Sequence, residues 1–330
     1  MNGVKMGARI ISSGRYLPER CVTNGDLERL VDTSDEWIVR RTGIKTRYLL
    51  GEGDDPAEMG VEAGKSALKQ AGLSPAEVDF LIVATNFPDT ICPGSSPFIA
   101  AGLGLDQTPF FDLKAGCSGF VYGMVIAGGL IEAGLFRRIL VVGSEALSRV
   151  TDWNDRKTCV LFGDGAGAAL MGAGPAGAGI LGSSLHAEGD KAMLLHIPAG
   201  GTRNQASHAT VAAGGHYLKM EGAGVYHSAV SMMERATEEA LGKAGLALSD
   251  IDWLIPHQAN IRIINSLTRR LGIEPEKVIV NLDRVANTST ASIPIALDEV
   301  LRAGKVNRGD RLVLTAFGAG ASYGAVVLKI

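Results

Sequence analysis

The chain is poor in the groups that mark several protein classes. It has four cysteines in 330 residues, Cys21, Cys92, Cys117 and Cys159, and no Cys-x-x-Cys pair. A zinc knuckle or redox dithiol is therefore not expected. Cysteines so far apart in a long, core-rich chain are also no disulfide framework, so we read a reduced, cytoplasmic protein. Positive charge is not in excess either: the net charge is −3, which leaves no global basis for binding nucleic acid. No uninterrupted run of about 18 apolar residues occurs, so no membrane span is expected. Met1 to Arg9 carries Lys5 and Arg9 but no apolar core, and does not read as a signal peptide. What is present is 46% hydrophobic and 20% charged residues, an ordinary balance for a soluble globular enzyme. The 43 glycines punctuate apolar runs, the pattern of tight turns and close backbone approach.

An internal repeat organises the chain. "SALKQAGLSPAEVDFLIVAT" (66–85) parallels "EALGKAGLALSDIDWLIPHQ" (239–258) at an offset of 173. Both read as an amphipathic helix ending at Ala-Gly-Leu, a turn with Asp79 or Asp252, and a buried strand. "FDLKAGCSG" (111–119) parallels "NLDRVANTS" (281–289) at an offset of 170. "IEAGLFRRILVVGSE" parallels "LRAGKVNRGDRLVLTAFG", and "FGDGAGAALM" looks like "FGAGASYGAVVLKI" at the end. Each half thus runs helix, strand, strand-turn-helix, strand, strand, which predicts α/β layering. We set the halves at 1–175 and 176–330, related by a pseudo-two-fold.

The repeat makes Cys117 and Asn287 equivalent, each where a strand turns into a helix. His257 ends the repeated strand "DWLIPHQ", where the first half has Ala84. Taken singly, Cys117 is a small core residue, His257 a satisfied strand-end histidine and Asn287 a cap. Together at one seam they form a nucleophile with two hydrogen-bonding groups. A helix start at Cys117 is expected to lower its thiol pKa, and Gly116 and Gly119 allow a tight turn. Gly172-x-Gly174-x-x-Gly177 mimics a dinucleotide fingerprint, but no helix or distant acidic residue follows; we read a flexible connection between the halves. Arg262, Arg269 and Arg270 fall on one side of a predicted helix, a basic face suited to an acidic partner.

"DTSDEWIVRRTGI" (32–44), "AGCSGF" (115–120), "FGDGAGA" (162–168), "PHQAN" (256–260) and "NTSTASIP" (287–294) resemble β-ketoacyl-acyl carrier protein synthase III. The resemblance runs from about Ala8 to Ile330. It implies a thiolase-like, five-layered α/β/α/β/α sandwich. It further implies decarboxylative condensation of an acyl-CoA primer with malonyl-acyl carrier protein. Cys117 would be acylated, with the backbone of Cys117 and Ala319 as oxyanion hole. His257 and Asn287 would bind the malonyl thioester carbonyl. Trp37, Arg41 and Arg156 would meet the adenine end of coenzyme A, with Gly222 and Asn260 along the pantetheine tunnel. Arg262, Arg269 and Arg270 would dock the carrier protein. A homodimer is implied, and neither metal nor redox cofactor.

Three departures from the family pattern bear on the primer and the partner. Cys92 stands where an aromatic often borders the acyl pocket. Gly320-Ala321-Ser322-Tyr323-Gly324 replaces a bulkier terminal motif, and His227 takes the place of a basic docking residue. The first two predict a roomier acyl site, for a longer or branched chain. Alternatives are a condensing or acyl-transfer enzyme of specialised metabolism, or an inactive partner subunit, which the intact Cys117, His257 and Asn287 disfavour. A thiolase proper would carry a second cysteine in "FGAGASYG", and none is there. A hydroxymethylglutaryl-type synthase would carry a glutamate near the nucleophile, and none is evident from the sequence.

Overall fold

The duplication seen in the sequence is carried into the backbone of the computed structural model, which describes residues 7–330. The amino-terminal stretch read for a signal peptide lies mostly outside the described residues. The first half contains β1 (Gly7–Tyr16), β2 (Arg20–Thr23), α1 (Asn24–Leu27), α2 (Asp35–Thr42), β3 (Thr46–Leu49) and α3 (Pro56–Ala71). It continues with β4 (Phe80–Ala84), α4 (Ser96–Leu103), β5 (Phe110–Leu113), α5 (Gly119–Glu132), β6 (Arg138–Glu145) and β7 (Gly165–Gly174). The second half contains β8 (Gly179–Ala187), β9 (Leu195–His196), α6 (His208–Ala212), β10 (Lys219–Met220), α7 (Gly222–Ala244) and β11 (Trp253–Pro256). It ends with α8 (Ile261–Leu271), α9 (Leu282–Val285), α10 (Ser292–Arg302), β12 (Arg311–Gly318) and β13 (Ser322–Lys329).

Two sheets share one plan. The first runs β1-β7-β6-β4-β5 and the second β8-β13-β12-β11. In both, one corresponding pair is parallel, β4 with β6 and β11 with β12, and the pairs from there toward β1 and β8 are antiparallel; the first sheet adds β5, parallel beside β4. The repeated Ala-Gly-Leu is a helix stop. Gly72 and Gly245 adopt φ of +67°, which an L side chain resists. The next residue closes the turn, Leu73 N donating to Leu68 O at 3.1 Å and Leu246 N to Leu241 O at 3.0 Å.

Helices form three layers. α3 and α4 pack an apolar core against the outer face of the first sheet, and α7 and α8 do the same on the second. Between the sheets lie α5 and α10, whose Phe120, Met124, Ile131, Ile293 and Leu297 join β6, β12 and β13 in one cluster. A helix pressed by sheets on two sides must be apolar all round, which explains "GFVYGMVIAGGLIE". The layers are therefore α/β/α/β/α. The short connection 175–178 leads from β7 in one sheet to β8 in the other, so the Gly172–Gly177 motif is a crossover between sheets and holds no nucleotide-binding helix. None of the described helices is long and apolar enough to cross a membrane.

The second half departs from the first at one strand. The segment equivalent to β5 is reduced to a single bridge, Leu254 to Val278. The fully buried Gln258 takes up the ladder groups: its Nε2 donates to Pro256 O at 2.7 Å and Ile279 O at 3.1 Å, and its Oε1 accepts from Asn281 N at 3.1 Å. A side chain thus completes the sheet edge, and α9 follows where the sequence predicted a strand.

The halves are also tied by charge. Asp298 of α10 is fully buried, accepts from Ser13 Oγ of β1 at 2.8 Å and from Arg302 Nε at 2.8 and 2.9 Å. Removing one member of such a set leaves the others unpaired. Asp298→Ala is expected to lower unfolding free energy by about 2–4 kcal/mol and Asp298→Asn by less, read from urea unfolding.

Candidate active site

The strand ends of the two sheets converge on a cavity of about 750 Å³. Cys117, His257 and Asn287 all line it, so the three residues that the repeat aligned do meet. Two glycine turns make the seam. A Cβ on Gly116 would lie 2.4 Å from Ala319 N, and one on Gly318 would lie 2.0 Å from Cys117 N. Only glycine lets these backbones touch, and Gly116 also needs its φ of +56°.

Each polar side chain is held by a named partner. Asn287 N donates to Leu161 O and Gly163 N donates to Asn287 O, both at 3.0 Å, so the start of "FGDGAGA" is a clamp on Asn287. The Asn287 Oδ1 accepts from Ser289 N at 2.8 Å, which leaves the Nδ2 donor for a ligand. The His257 Nδ1 lies 2.7 Å from Ser292 Oγ, which also accepts from Gln258 N at 3.4 Å. A Ser292 hydroxyl that donates to Nδ1 leaves the neutral imidazole's own proton on Nε2. Burial holds His257 down at about 3, so it is a neutral donor at physiological pH.

The cysteine departs from expectation. It precedes α5, whose first turn begins at Gly119, but burial pushes its thiol up to about 12 against the hydrogen bond from Ser289. Desolvation disfavours the anion and so opposes the helix start. Burial thus favours the thiol over the thiolate at rest. Ser289 Oγ lies 3.4 Å from Cys117 Sγ and 3.1 Å from Glu145 Oε1. A buried glutamate therefore does stand behind the cysteine, contrary to the sequence reading. Burial raises it to about 7, against hydrogen bonds from Asn86. Nothing in "VVGSE" signalled it, because Glu145 is remote in sequence from Cys117, Asn86 and Ser289.

Further out, the cavity is lined by Trp37, Arg41, Arg156, Gly222, Asn260 and Arg262. The Arg156 and Arg41 guanidinium carbons lie 5.2 and 5.8 Å from the Trp37 ring centre, and Arg156 is braced on Asp32 O at 2.6 Å. Asn260 caps α8, accepting from Arg262 N at 2.8 Å, and donates to Arg41 O at 3.1 Å, which joins the two basic rims. Arg269 and Arg270 sit beside the cavity around a shallow hollow with His227 and Tyr226. Arg270 pairs there with Glu234.

Two stretches expected at the acyl pocket do not line this chain's cavity. Cys92 is exposed and does not line the cavity. Its loop is held away by Asp112, which accepts from Ser95 N at 2.9 Å and Ser96 Oγ at 2.6 Å. Residues 320–324 do not line it either. Ser322 instead packs under the cysteine turn, donating to Ala115 O at 2.6 Å, and Tyr323 is buried in the core of the second half. Neither departure enlarges this chain's cavity. Among the described residues no group of three or more His, Cys, Asp or Glu could hold a metal ion.

Comparison with known proteins agrees with this geometry. Residues 111–189 match the family described as 3-oxoacyl-[acyl-carrier-protein (ACP)] synthase III, and residues 241–330 match its C-terminal family. The chain is 48% identical over 325 residues to the beta-ketoacyl-[acyl-carrier-protein] synthase III of Caldanaerobacter subterraneus subsp. tengcongensis, covering 98% of both. It is 49% identical over 320 residues to that of Symbiobacterium thermophilum, covering 97% of both. The crystal structure of 3-oxoacyl-[acyl-carrier-protein] synthase III from Aquifex aeolicus superposes with a TM-score of 0.91 at 44% identity, over 98% of this chain and 100% of that one. The priming β-ketosynthase of the R1128 polyketide pathway superposes with a TM-score of 0.91 at 36% identity, over 100% of this chain and 98% of that one. A cysteine, a neutral histidine and an asparagine on one cavity, in a duplicated α/β fold with full-length relatives of one kind, have a single meaning: the chain belongs to the 3-oxoacyl-[acyl-carrier-protein] synthase III family of acyl-condensing transferases.

Proposed function

We propose that the chain condenses an acyl-CoA primer with malonyl-acyl carrier protein through an acyl-Cys117 intermediate, starting acyl-chain synthesis. The observation that carries this is the opening of Cys117, His257 and Asn287 onto one cavity whose outer rim holds Trp37 and three arginines. The Cys117 sulfur attacks the thioester carbon, the backbone N–H groups of Cys117 and Ala319 hold the oxyanion, and coenzyme A leaves as its thiol. Malonyl-carrier protein follows. Its carboxylate leaves as carbon dioxide, and the enolate oxygen accepts from His257 Nε2 and Asn287 Nδ2. The carbanion attacks acyl-Cys117, its C–S bond breaks and the 3-oxoacyl carrier protein departs, and the Cys117 thiolate takes up a proton from solvent to restore the thiol.

Trp37 stacks the adenine and Arg41 and Arg156 meet the phosphates, with Gly222 and Asn260 along the pantetheine arm. Arg262, Arg269 and, less exposed to a partner because of Glu234, Arg270 face the acidic carrier protein. No step requires a metal or redox cofactor. We further read a cytoplasmic homodimer. β5 is an open sheet edge, with Phe110 43%, Phe98 42% and Ile91 91% exposed. Residues 1–175 and 176–330 are taken as its two halves. The polyketide priming enzyme among the neighbours supports a second reading, the same reaction serving specialised metabolism.

Mass spectrometry after incubation with acyl-CoAs from acetyl to decanoyl should show one acyl mass on Cys117, absent in Cys117→Ala. A primer longer than about four carbons would favour the specialised pathway. No gain with any of them sinks the proposal. His257→Ala and Asn287→Ala should still be acylated but lose condensation by about 100-fold or more. Because His257 protonates only near pH 3, decarboxylation by pre-acylated enzyme should show no loss of rate as pH falls through 6.5; a midpoint there would contradict a neutral donor. Trp37→Ala and Arg156→Ala should raise KM for acyl-CoA about tenfold with kcat little changed.

A further inference from the structure

The thiol held at about 12 has to lose a proton as the acyl group arrives, and the helix start does not by itself provide for that. The structure holds a buried, otherwise unused pair behind the sulfur. We propose that Ser289 and Glu145 form a proton relay for Cys117, Ser289 touching the sulfur and Glu145 acting through it. This rests on Cys117 being the acylated nucleophile.

Ser289 is 3% exposed and Glu145 is 1% exposed. The Ser289 hydroxyl is within reach of both partners, 3.4 Å from Cys117 Sγ and 3.1 Å from Glu145 Oε1. Asn86 fixes the acceptor, donating to Glu145 Oε1 through its backbone at 2.9 Å and its side chain at 2.6 Å. Thr85 Oγ1 donates to the other oxygen at 3.4 Å. Ser289 sits at φ +51° and Ala286 at +59°. Side chains avoid that region, and the strain is held in place by the bond from Ser289 N to Asn287 Oδ1. The backbone is thus bent to put one hydroxyl between sulfur and carboxylate.

The step balances within the chain. As the sulfur bonds to the acyl carbon, its S–H bond breaks and that proton joins Ser289 Oγ. The original Ser289 proton passes to the Glu145 carboxylate. When the tetrahedral adduct collapses to acyl-Cys117, the C–S bond to coenzyme A breaks, the departing thiolate takes a proton from solvent, and Glu145 returns its own proton to solvent. One negative charge is moved and no buried ion pair is created, which matters where a second charge is costly. A carboxyl raised to about 7 is matched to this task at neutral pH. The groups facing Glu145 are Thr85 and Asn86 after β4, Ser289 before α10, Cys117 before α5 and Gly165 across β7. Of these only Cys117 titrates. The nearby Asp164 spends its carboxylate on Leu50 and Ser148.

The test follows Cys117 alkylation by iodoacetamide and acylation by the primer acyl-CoA from pH 5 to 9, by mass spectrometry. The wild-type rate should fall below a midpoint near 7. Glu145→Gln keeps the shape but cannot take the proton, so it should lose that midpoint and slow about 10- to 100-fold at pH 8. Ser289→Ala should do the same, and the double variant should be no slower than either single one. Glu145→Asp should restore part of the rate together with the midpoint. Decarboxylation by enzyme already acylated should be unchanged, which a merely loosened fold would not allow. A retained midpoint with rates within about threefold in Glu145→Gln, or single effects that multiply in the double variant, overturns the relay. If Glu145→Gln does not fold, Ser289→Ala decides alone by the same readings. Wild-type Cys117 that takes no acyl group sinks the nucleophile reading itself, a result distinct from an acylated wild type whose pH profile ignores Glu145.

Discussion

Everything at the site depends on two backbones touching where no side chain fits. Gly116 and Gly318 let the turn that carries Cys117 meet the turn that carries Ala319. The first turn follows β5 of one sheet and the second follows β12 of the other. The duplicated halves therefore share a floor, and side chains from both reach one cavity. A methyl group at either glycine would force the turns apart, and with them the distance from sulfur to backbone donor that transition-state binding requires. The same closeness clamps Asn287 between Leu161 and Gly163, so the nucleophile's equivalent in the second half is held by loops of the first.

Burial then decides the chemistry. It raises Cys117 and Glu145 and lowers His257, and every shift favours the neutral form. The site is dry enough that hydrogen bonds to a developing oxyanion or enolate count for much more than in water. The same dryness disfavours a thiolate at rest. A helix start is a weak counterweight there, since its partial charge acts over one turn, whereas desolvation acts on the whole ion. His257 Nδ1 is held by Ser292 Oγ, and Asn287 in one orientation by Ser289 N.

Much of this was legible in the chain because a duplication prints its structure twice. Ala71-Gly72-Leu73 and Ala244-Gly245-Leu246 are visible as a motif because both glycines must take positive φ. The all-apolar run after Cys117 announces a helix covered on both sides. What stayed hidden has a common cause. Glu145, Asn86 and Ser289 are far apart in sequence and carry no spacing rule, so nothing local marks their meeting. Cys92 and residues 320–324 were read by alignment to a pocket. Whether a loop points into a cavity or away from it is set by a distant partner, here Asp112 for Cys92. The missing fifth strand was masked likewise, since Gln258 stands in for a ladder that the residues around Val278 would otherwise complete.

By itself the amino-acid sequence determined the α/β alternation, the twofold plan, and the meeting of Cys117, His257 and Asn287, while the five-layered stacking was implied by the family resemblance. The first three follow from periodicity and repetition, which are local properties summed along a chain. Only the tertiary structure decided the protonation of the three groups, the acid behind the sulfur and the walls of the cavity. Solvation and long-range contact set these, and both exist only after residues remote in the chain have excluded water together.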